Sequence, residues 1–190
     1  METQKYYGKL KEMATDAPDS YLVGFLFMGM GLNESAHGHY NAAKQVFEDG
    51  LSLFQRIRNP GFQRIMQSEL GHVARHIGSL DEAKAIYRET IRGWQEAGNR
   101  GAIANQLECF AFLAIAEEEP HRAAKLLGAA EALRDKAQSS MTDLEQVEYD
   151  QSVARLRAML AETEFKALWA EGRAMTLDKA IQYALERANE

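Results

Sequence analysis

The amino-acid sequence predicts an all-α fold built from stacked pairs of helices and closed at its C-terminal end by further helices. Three observations predict this fold. One pattern of small and large apolar residues recurs at a spacing of 40 residues. Apolar residues follow three- and four-residue steps along most of the chain, as they do on one face of an α-helix. The sequence contains no alternating strand pattern, no low-complexity segment and no long linker.

The repeat is clearest in residues 64–97, where two helical stretches are separated by a turn at Gly78. Small residues stand where two helices have to approach each other, and larger apolar residues fill the space around them. Three sets align at the 40-residue spacing: Gly31, Gly71 and Ala111; Ala43, Ala83 and Ala123; and Phe47, Tyr87 and Leu127. A constant period of this length is typical of stacked repeats, because each unit alone is too small to bury its apolar face.

The first helical stretch, residues 2–15, aligns with the second helix of a repeat whose first helix is missing. We therefore interpret residues 3–18 as a half repeat cut from a longer protein, with a natural N-terminal cap as the alternative. A break at residues 16–20 follows, where Asp19 or Ser20 is a suitable N-cap for the next helix. That helix, at about 20–36, is apolar on all sides, so we expect it to be covered on more than one side.

Three full repeats are predicted, over residues 20–59, 60–99 and 100–138. Their helices are expected at about 20–36 and 41–58, at 62–77 and 80–97, and at 102–117 and 120–137. The segment Asn59-Pro60-Gly61 is expected to stop one helix, and Gly98 is expected to act as a glycine C-cap. Pro120 falls in a first turn, where its missing N–H costs nothing.

The period is lost after residue 141, and residues 142–188 are predicted to form a cap of three helices. Thr142 and Glu145 have the spacing of a capping box, which opens a helix to about residue 160. Shorter helices are expected at about 163–172 and 177–188, and Thr176 is the expected N-cap of the last one. The sequence is thus interpreted as a single domain over residues 1–190.

The central repeat resembles the tetratricopeptide repeat. The matching residues are Leu70, Gly71, Ala74, Gly78, Leu80, Ala83, Tyr87 and Thr90. The unit here is 40 residues long where the family unit has about 34, Gln67 replaces the usual aromatic residue, and the closing proline is absent. The resemblance implies a right-handed superhelix, an α-solenoid, in which the first helix of each pair lines a concave face.

The C-terminal third is similar to the end of the repeat region in bacterial signalling regulators, the group that includes LuxR-type and MalT-like activators and AfsR-like ATPase regulators. The stretch RAAKLLGAAEALR over residues 122–134 carries this resemblance. So do Tyr149, Phe165, Trp169, Glu171, Gly172, Arg173 and residues 176–180. The resemblance implies a sensor or scaffold segment, and the sequence itself contains neither a phosphate-binding loop nor a DNA-reading module.

Composition excludes several classes of partner. The 22 basic and 28 acidic residues give a net charge of −6, which argues against nucleic acid or an anionic membrane as the main partner. The single cysteine, Cys109, cannot form an internal disulfide and suits a reducing compartment. Residues 21–32 are apolar but too few to cross a bilayer, and the first residues lack the apolar core of a signal peptide. We expect a cytoplasmic protein.

The repeat register predicts a binding surface on the concave face, because first helices line it in the resembled family. The expected contact residues are Phe25, Met28, Leu32, Ile65, Ser68, His72, Arg75, His76, Asn105, Glu108 and Phe112. The set combines an apolar wall with histidine and arginine, so it would suit a peptide or helix with apolar and acidic groups. The alternative is that the C-terminal helices, or another copy of the chain, fill the groove.

No catalytic, cofactor or metal site is predicted. His72 and His76 have the i, i+4 spacing that can hold a metal, but the sequence offers no third ligand. Cys109 lacks a basic neighbour in the sequence and is interpreted as a packing residue. We therefore predict a non-enzymatic scaffold that binds a protein or peptide and derives from a transcriptional regulator. The alternatives are small-molecule effector sensing, which the MalT-like resemblance implies, and self-association with Phe25 or Met28 between copies.

Overall fold

The structure, a computed structural model, describes residues 2–17 and 19–186, and within these ranges it contains ten α-helices and no strand. The helices are α1 Glu2–Asp16, α2 Tyr21–Ala36, α3 Tyr40–Arg56, α4 Pro60–His76, α5 Leu80–Glu96, α6 Arg100–Ala116, α7 Pro120–Ala137, α8 Asp143–Met159, α9 Glu162–Arg173 and α10 Leu177–Leu185. The all-α prediction is confirmed. Pro18, in the predicted break, and the predicted helical residues 187 and 188 lie outside the described residues.

The helices α3 to α7 begin at residues 40, 60, 80, 100 and 120, so the helical unit recurs every 20 residues. The turns before, between and after these helices share one backbone geometry. Positive φ angles occur at Gly38, Arg58, Gly78, Gly98, Glu118 and Gln138. After each of these residues the next N–H donates to a carbonyl five residues earlier, as from Ser79 to Ala74 at 2.9 Å and from Glu119 to Ala114 at 2.8 Å.

This geometry is the Schellman ending of an α-helix, in which a left-handed residue lets the last turn satisfy its own carbonyls. Glycine reaches that conformation without strain, so the sequence indicated a left-handed residue only at the glycines. Arg58, Glu118 and Gln138 adopt it too. The 40-residue period seen in the sequence therefore contains two backbone units of equal length.

Asn59 and Asn99 begin helices rather than ending them. The side chain of Asn59 accepts a hydrogen bond from the Phe62 N–H at 3.1 Å, and that of Asn99 accepts one from Ala102 at 3.0 Å. Pro60 occupies the first turn of α4, where proline has no hydrogen bond to lose. Asn59-Pro60-Gly61 was predicted to stop α3, and that assignment was wrong. The left-handed residue Arg58 ends α3 before this segment, and α4 already begins at Pro60.

The chain divides into two compact units, Met1–Ile86 and Tyr87–Glu190. In the first unit α3 packs between α2 and α4. Its core contains Leu10, Val23, Phe27, Val46 and Leu53 in one cluster and Ala43, Phe47, Phe54, Met66 and Val73 in a second. Gly31 of α2 lies directly under the ring of Phe47, where a Cβ would overlap the ring. The small residue predicted at this position thus leaves room for the aromatic side chain of α3.

In the second unit α7 packs against α6 and α9. Gly128 of α7 faces the backbone of Trp169, and Gly172 of α9 faces the backbone of Lys125, so the two helices cross at a pair of glycines. The Trp169 Nε1 donates to Glu131 Oε2 at 2.8 Å, which fixes α9 to α7 beside the crossing. None of the described helices is both long and apolar enough to cross a membrane.

Candidate functional site

One side of α2 exposes large apolar side chains and no charged residue. Its members, which we call the α2 face, are Tyr21 (45% exposed), Leu22 (64%), Phe25 (41%), Leu26 (43%) and Leu32 (40%). The opposite side of α2 is buried and includes Val23 and Phe27. Because α2 is apolar all round, we expected it to be covered on more than one side. The structure leaves the α2 face uncovered among the described residues.

Aromatic contacts connect the α2 face to α4. The ring of Phe25 packs edge-on against Phe62, with 4.9 Å between centroids, and Phe62 stacks on Phe54 at 4.9 Å. Of the other predicted contact residues, Met28 and Ile65 are half-buried and Ser68 is buried, with 7% of its surface exposed. Phe25 is therefore held in place by the core, while part of its ring stays accessible to a partner.

The C-terminal turns of α4 carry a polar patch next to these apolar residues along the same helix. The Arg75 Nη2 lies 3.3 Å from the His76 Nε2. The His76 ring stacks on Tyr40, with centroids 4.6 Å apart and planes 4° from parallel. Burial, and then the charges of Arg75 and His76, lower the pKa of His72 to about 3. The patch thus contains the charge of Arg75, while His72 itself is neutral at physiological pH.

The lowered pKa of His72 predicts that the first unit loses stability in mild acid. The unfolded chain binds a proton near the ordinary pKa of 6.5 while the folded chain does not, so stability falls as the pH drops below that value. At pH 5 the free energy of unfolding should be about 2 kcal/mol lower than at neutral pH, since one pKa unit corresponds to about 1.4 kcal/mol. Hydrogen exchange of the α4 amides between pH 7 and pH 5, corrected for the intrinsic exchange rate, measures this loss.

The matched variants for this experiment are His72→Gln and His37→Gln. His72→Gln should remove most of the pH dependence, because glutamine does not titrate. His37 is exposed at the end of α2, so its replacement should leave the dependence as in the wild type. An equal loss of protection in the His72→Gln protein would show that another group causes it.

The predicted contact residues of α6 belong to the second unit and have a different environment. Glu108 is only 3% exposed and accepts two hydrogen bonds from Arg134, Nε to Oε1 at 2.6 Å and Nη2 to Oε2 at 2.7 Å. Asn105 donates to Glu145 of α8 at 2.9 Å. Phe112 is half-buried. The assignment of Glu108 and Asn105 to an open binding surface needs correction, because both side chains are engaged within the unit.

Sequence reasoning missed the partners in this cluster, Arg134 and Glu145. Burial raises the pKa of Glu108, and the hydrogen bonds from Arg134 oppose that effect. Arg134 also donates to the Ser140 carbonyl at 3.3 Å, beside the N-terminus of α8. The available signal was that Arg134 continues the apolar stripe of Ala123, Leu127 and Ala130 along α7 at three- and four-residue steps, which indicates a buried charge in need of a partner.

No group of three metal-binding side chains comes together among the residues that the structure describes. The lone Cys109 is buried, and its sulfur lies 3.8 Å from the Asn105 Oδ1. These arrangements offer no set of nucleophile, base and stabilising groups from which a reaction could be derived. The absence of a metal, a cofactor and a catalytic activity stays a prediction.

Comparison with known proteins relates the chain to transcriptional regulators. A stretch of 82 residues is 36% identical to proteins of Mycobacterium bovis and of two strains of Mycobacterium tuberculosis, whose names class them provisionally as HTH-type transcriptional regulators. The match spans 43% of this chain and 9% of each relative. No family model matches the chain. The similarity fits the origin that the sequence predicted, and it leaves the tetratricopeptide assignment as a prediction.

Proposed function

We propose that this chain is a non-catalytic, cytoplasmic segment of a bacterial transcriptional regulator that binds a protein or peptide partner on its first unit. The uncovered α2 face is the observation that carries the proposal. Large contiguous apolar surfaces are uncommon on soluble monomers and mark interaction sites. The chain matches only 9% of the length of the regulators that it resembles. This similarity supports a role as one segment of a larger regulator.

The chemistry of the surface favours a partner that combines apolar and acidic groups. The α2 face has no charged side chain, so it suits the apolar face of an amphipathic helix. Arg75 adds a positive charge on α4, the helix that Phe25 joins through Phe62. An arginine can bind a carboxylate through two parallel hydrogen bonds. We therefore propose an amphipathic helix with acidic residues beside its apolar stripe.

A synthetic helix tests this proposal directly. A fluorescently labelled 16-residue peptide with Leu at positions i, i+3, i+4 and i+7 and Glu at most other positions is titrated with the protein, and its anisotropy is followed. A second peptide carries Lys in place of each Glu. We expect the acidic peptide to bind at least about tenfold more tightly than the basic one. The double variant Phe25→Asp with Arg75→Gln should lose most of this affinity.

Leu144→Asp is the matched control, because Leu144 is also an exposed apolar residue and lies on α8, in the second unit. This variant should bind the acidic peptide as the wild type does. Equal binding of both peptides, or full binding by the double variant, would contradict the proposal. Sedimentation of the protein alone tests self-association, and a dimer that Phe25→Asp dissociates would assign the α2 face to a second copy instead.

A further inference from the structure

A cavity of about 400 Å³ opens between α1, α2 and α3 in the first unit. It shares no residue with the α2 face and lies on the side of α2 that contains Phe27. The lining residues are Lys11, Ala14 and Thr15 of α1, Phe27 of α2, and Asp49 and Arg56 of α3. This volume falls in the range of small-molecule sites, about 300–1,000 Å³.

The polar part of the cavity has an excess of positive charge. Lys11 Nζ lies 3.5 Å from Asp49 Oδ2, and the Tyr7 hydroxyl donates to the same carboxylate oxygen at 2.5 Å. The single acidic group of the lining is therefore already engaged by a cation and by a hydroxyl. Arg56 is exposed and makes no ion pair or side-chain hydrogen bond with any residue in the described part of the chain. The lining thus holds two cations and one carboxylate, in a chain whose net charge is −6.

The inner wall of the cavity is apolar. Phe27 is only 2% exposed and belongs to the core cluster that joins α1, α2 and α3. Ala14 is partly buried, packs against the same cluster and also lines the cavity. A small ligand can therefore place a short apolar group against this wall and a charged group near the mouth, the usual arrangement in small-molecule sites.

We propose that this cavity binds a small organic anion, with its carboxylate or phosphate at Arg56 and a short apolar body against Ala14 and Phe27. Arginine suits either anion, because its planar guanidinium forms two parallel hydrogen bonds to carboxylate and phosphate oxygens alike. The ligand would touch α1 and α3 at once, so its binding holds α1 against the rest of the unit. This inference is independent of the partner surface proposed above.

Isothermal titration calorimetry of the full chain with four related probes tests the inference. Phenylacetate and phenyl phosphate carry the two anionic groups, 2-phenylethanol is neutral, and 2-phenylethylamine is cationic. We expect at least one anion to bind at least about tenfold more tightly than the neutral and cationic probes. The anion that binds with the higher affinity shows whether the site prefers a carboxylate or a phosphate. Amide hydrogen exchange of α1 should slow when that anion is bound.

Arg56→Gln should weaken anion binding about tenfold, which is the usual size of losing one charged hydrogen-bond partner. Arg58→Gln is the matched control, because Arg58 is an exposed arginine two residues further on that does not line the cavity. Both variants change exposed side chains, and their circular dichroism should match that of the wild type. If the Arg56→Gln protein bound the anions with unchanged affinity, the inference would be overturned. Equal affinity for the neutral probe, or no binding of either anion at millimolar concentration, would also overturn it.

Discussion

Replacing Gly128 with alanine is expected to lower the free energy of unfolding of the second unit by about 3 kcal/mol or more. The added Cβ would overlap the carbonyl of Trp169, whose carbon would then lie only 3.1 Å away. Backbone atoms in the middle of a helix cannot rotate aside as a side chain can, so α7 and α9 have to separate along their crossing. Gly172→Ala should cost a similar amount, because its Cβ would lie 2.8 Å from the carbonyl carbon of Lys125.

Urea denaturation followed by tryptophan fluorescence measures these losses. Both tryptophans, Trp94 and Trp169, lie within the second unit, so their emission reports on that unit. Gly128 and Gly172 lie at the same crossing of α7 and α9. Once one substitution has separated the two helices, the second added methyl group already has room. The Gly128→Ala, Gly172→Ala double variant should therefore lose less than the sum of the two single losses.

Gly29→Ala is the control for the same chemical change at an open position. A Cβ at Gly29 would have no neighbour within 4 Å, and alanine favours a helix over glycine by up to about 1 kcal/mol. Denaturation followed by circular dichroism should show unchanged or slightly higher stability for this variant. A Gly128→Ala protein as stable as the wild type would show that α7 and α9 do not approach each other as described.

Breaking the ion pair between Glu108 and Arg134 is expected to destabilise the second unit by about 3–5 kcal/mol. Arg134→Met leaves a carboxylate in a site where Glu108 is 3% exposed, and a buried charge without its partner is costly. Glu108→Leu similarly leaves the buried guanidinium without its carboxylate. Glu162→Gln is the control for an exposed pair, since Glu162 and Arg157 are each about half exposed, and it should cost less than about 1 kcal/mol.

The double variant Glu108→Leu with Arg134→Met separates the two costs. Apolar residues of similar volume often replace a buried ion pair with little loss, so this protein should be within about 1 kcal/mol of the wild type. Lower pH should also rescue the single variant Arg134→Met in part. Burial already raises the pKa of Glu108, and without Arg134 the carboxyl takes up a proton more readily, so the loss shrinks as the pH falls. A double variant less stable than either single one would contradict this account.

The order of the helices could be predicted because their signals are local. Thr176 was predicted as an N-cap, Thr142 was predicted from its capping-box spacing to Glu145, and Ser20 was one of two candidates beside Asp19. The side chains of Ser20, Thr142 and Thr176 each accept a hydrogen bond from the first turn of the helix. The turns at Gly38 and Gly78 follow from glycine's freedom at positive φ. Arg58 was missed, because nothing in its chemistry indicates a left-handed backbone.

The candidate site depended on relations that a sequence does not contain. A repeat register assigns each residue to a side of its helix, and on that basis Phe25 and Glu108 were equally good candidates for an open surface. Phe25 is 41% exposed, whereas Glu108 is closed off by Arg134, which lies 26 residues further along the chain. The cavity between α1 and α3 had no sequence signal, because Lys11 and Arg56 come from helices that are separate in the chain.

The sequence by itself determined the secondary structure of this protein, its 40-residue repeat and its relation to regulators. Periodicity, caps and composition act over a few residues, and their effect can be read along the chain. Only the tertiary structure decided which helix faces stay uncovered, which charges are paired and where a cavity remains. Those properties depend on the packing of helices distant in sequence, and a single contact such as the one between Glu108 and Arg134 changes a surface residue into a buried one.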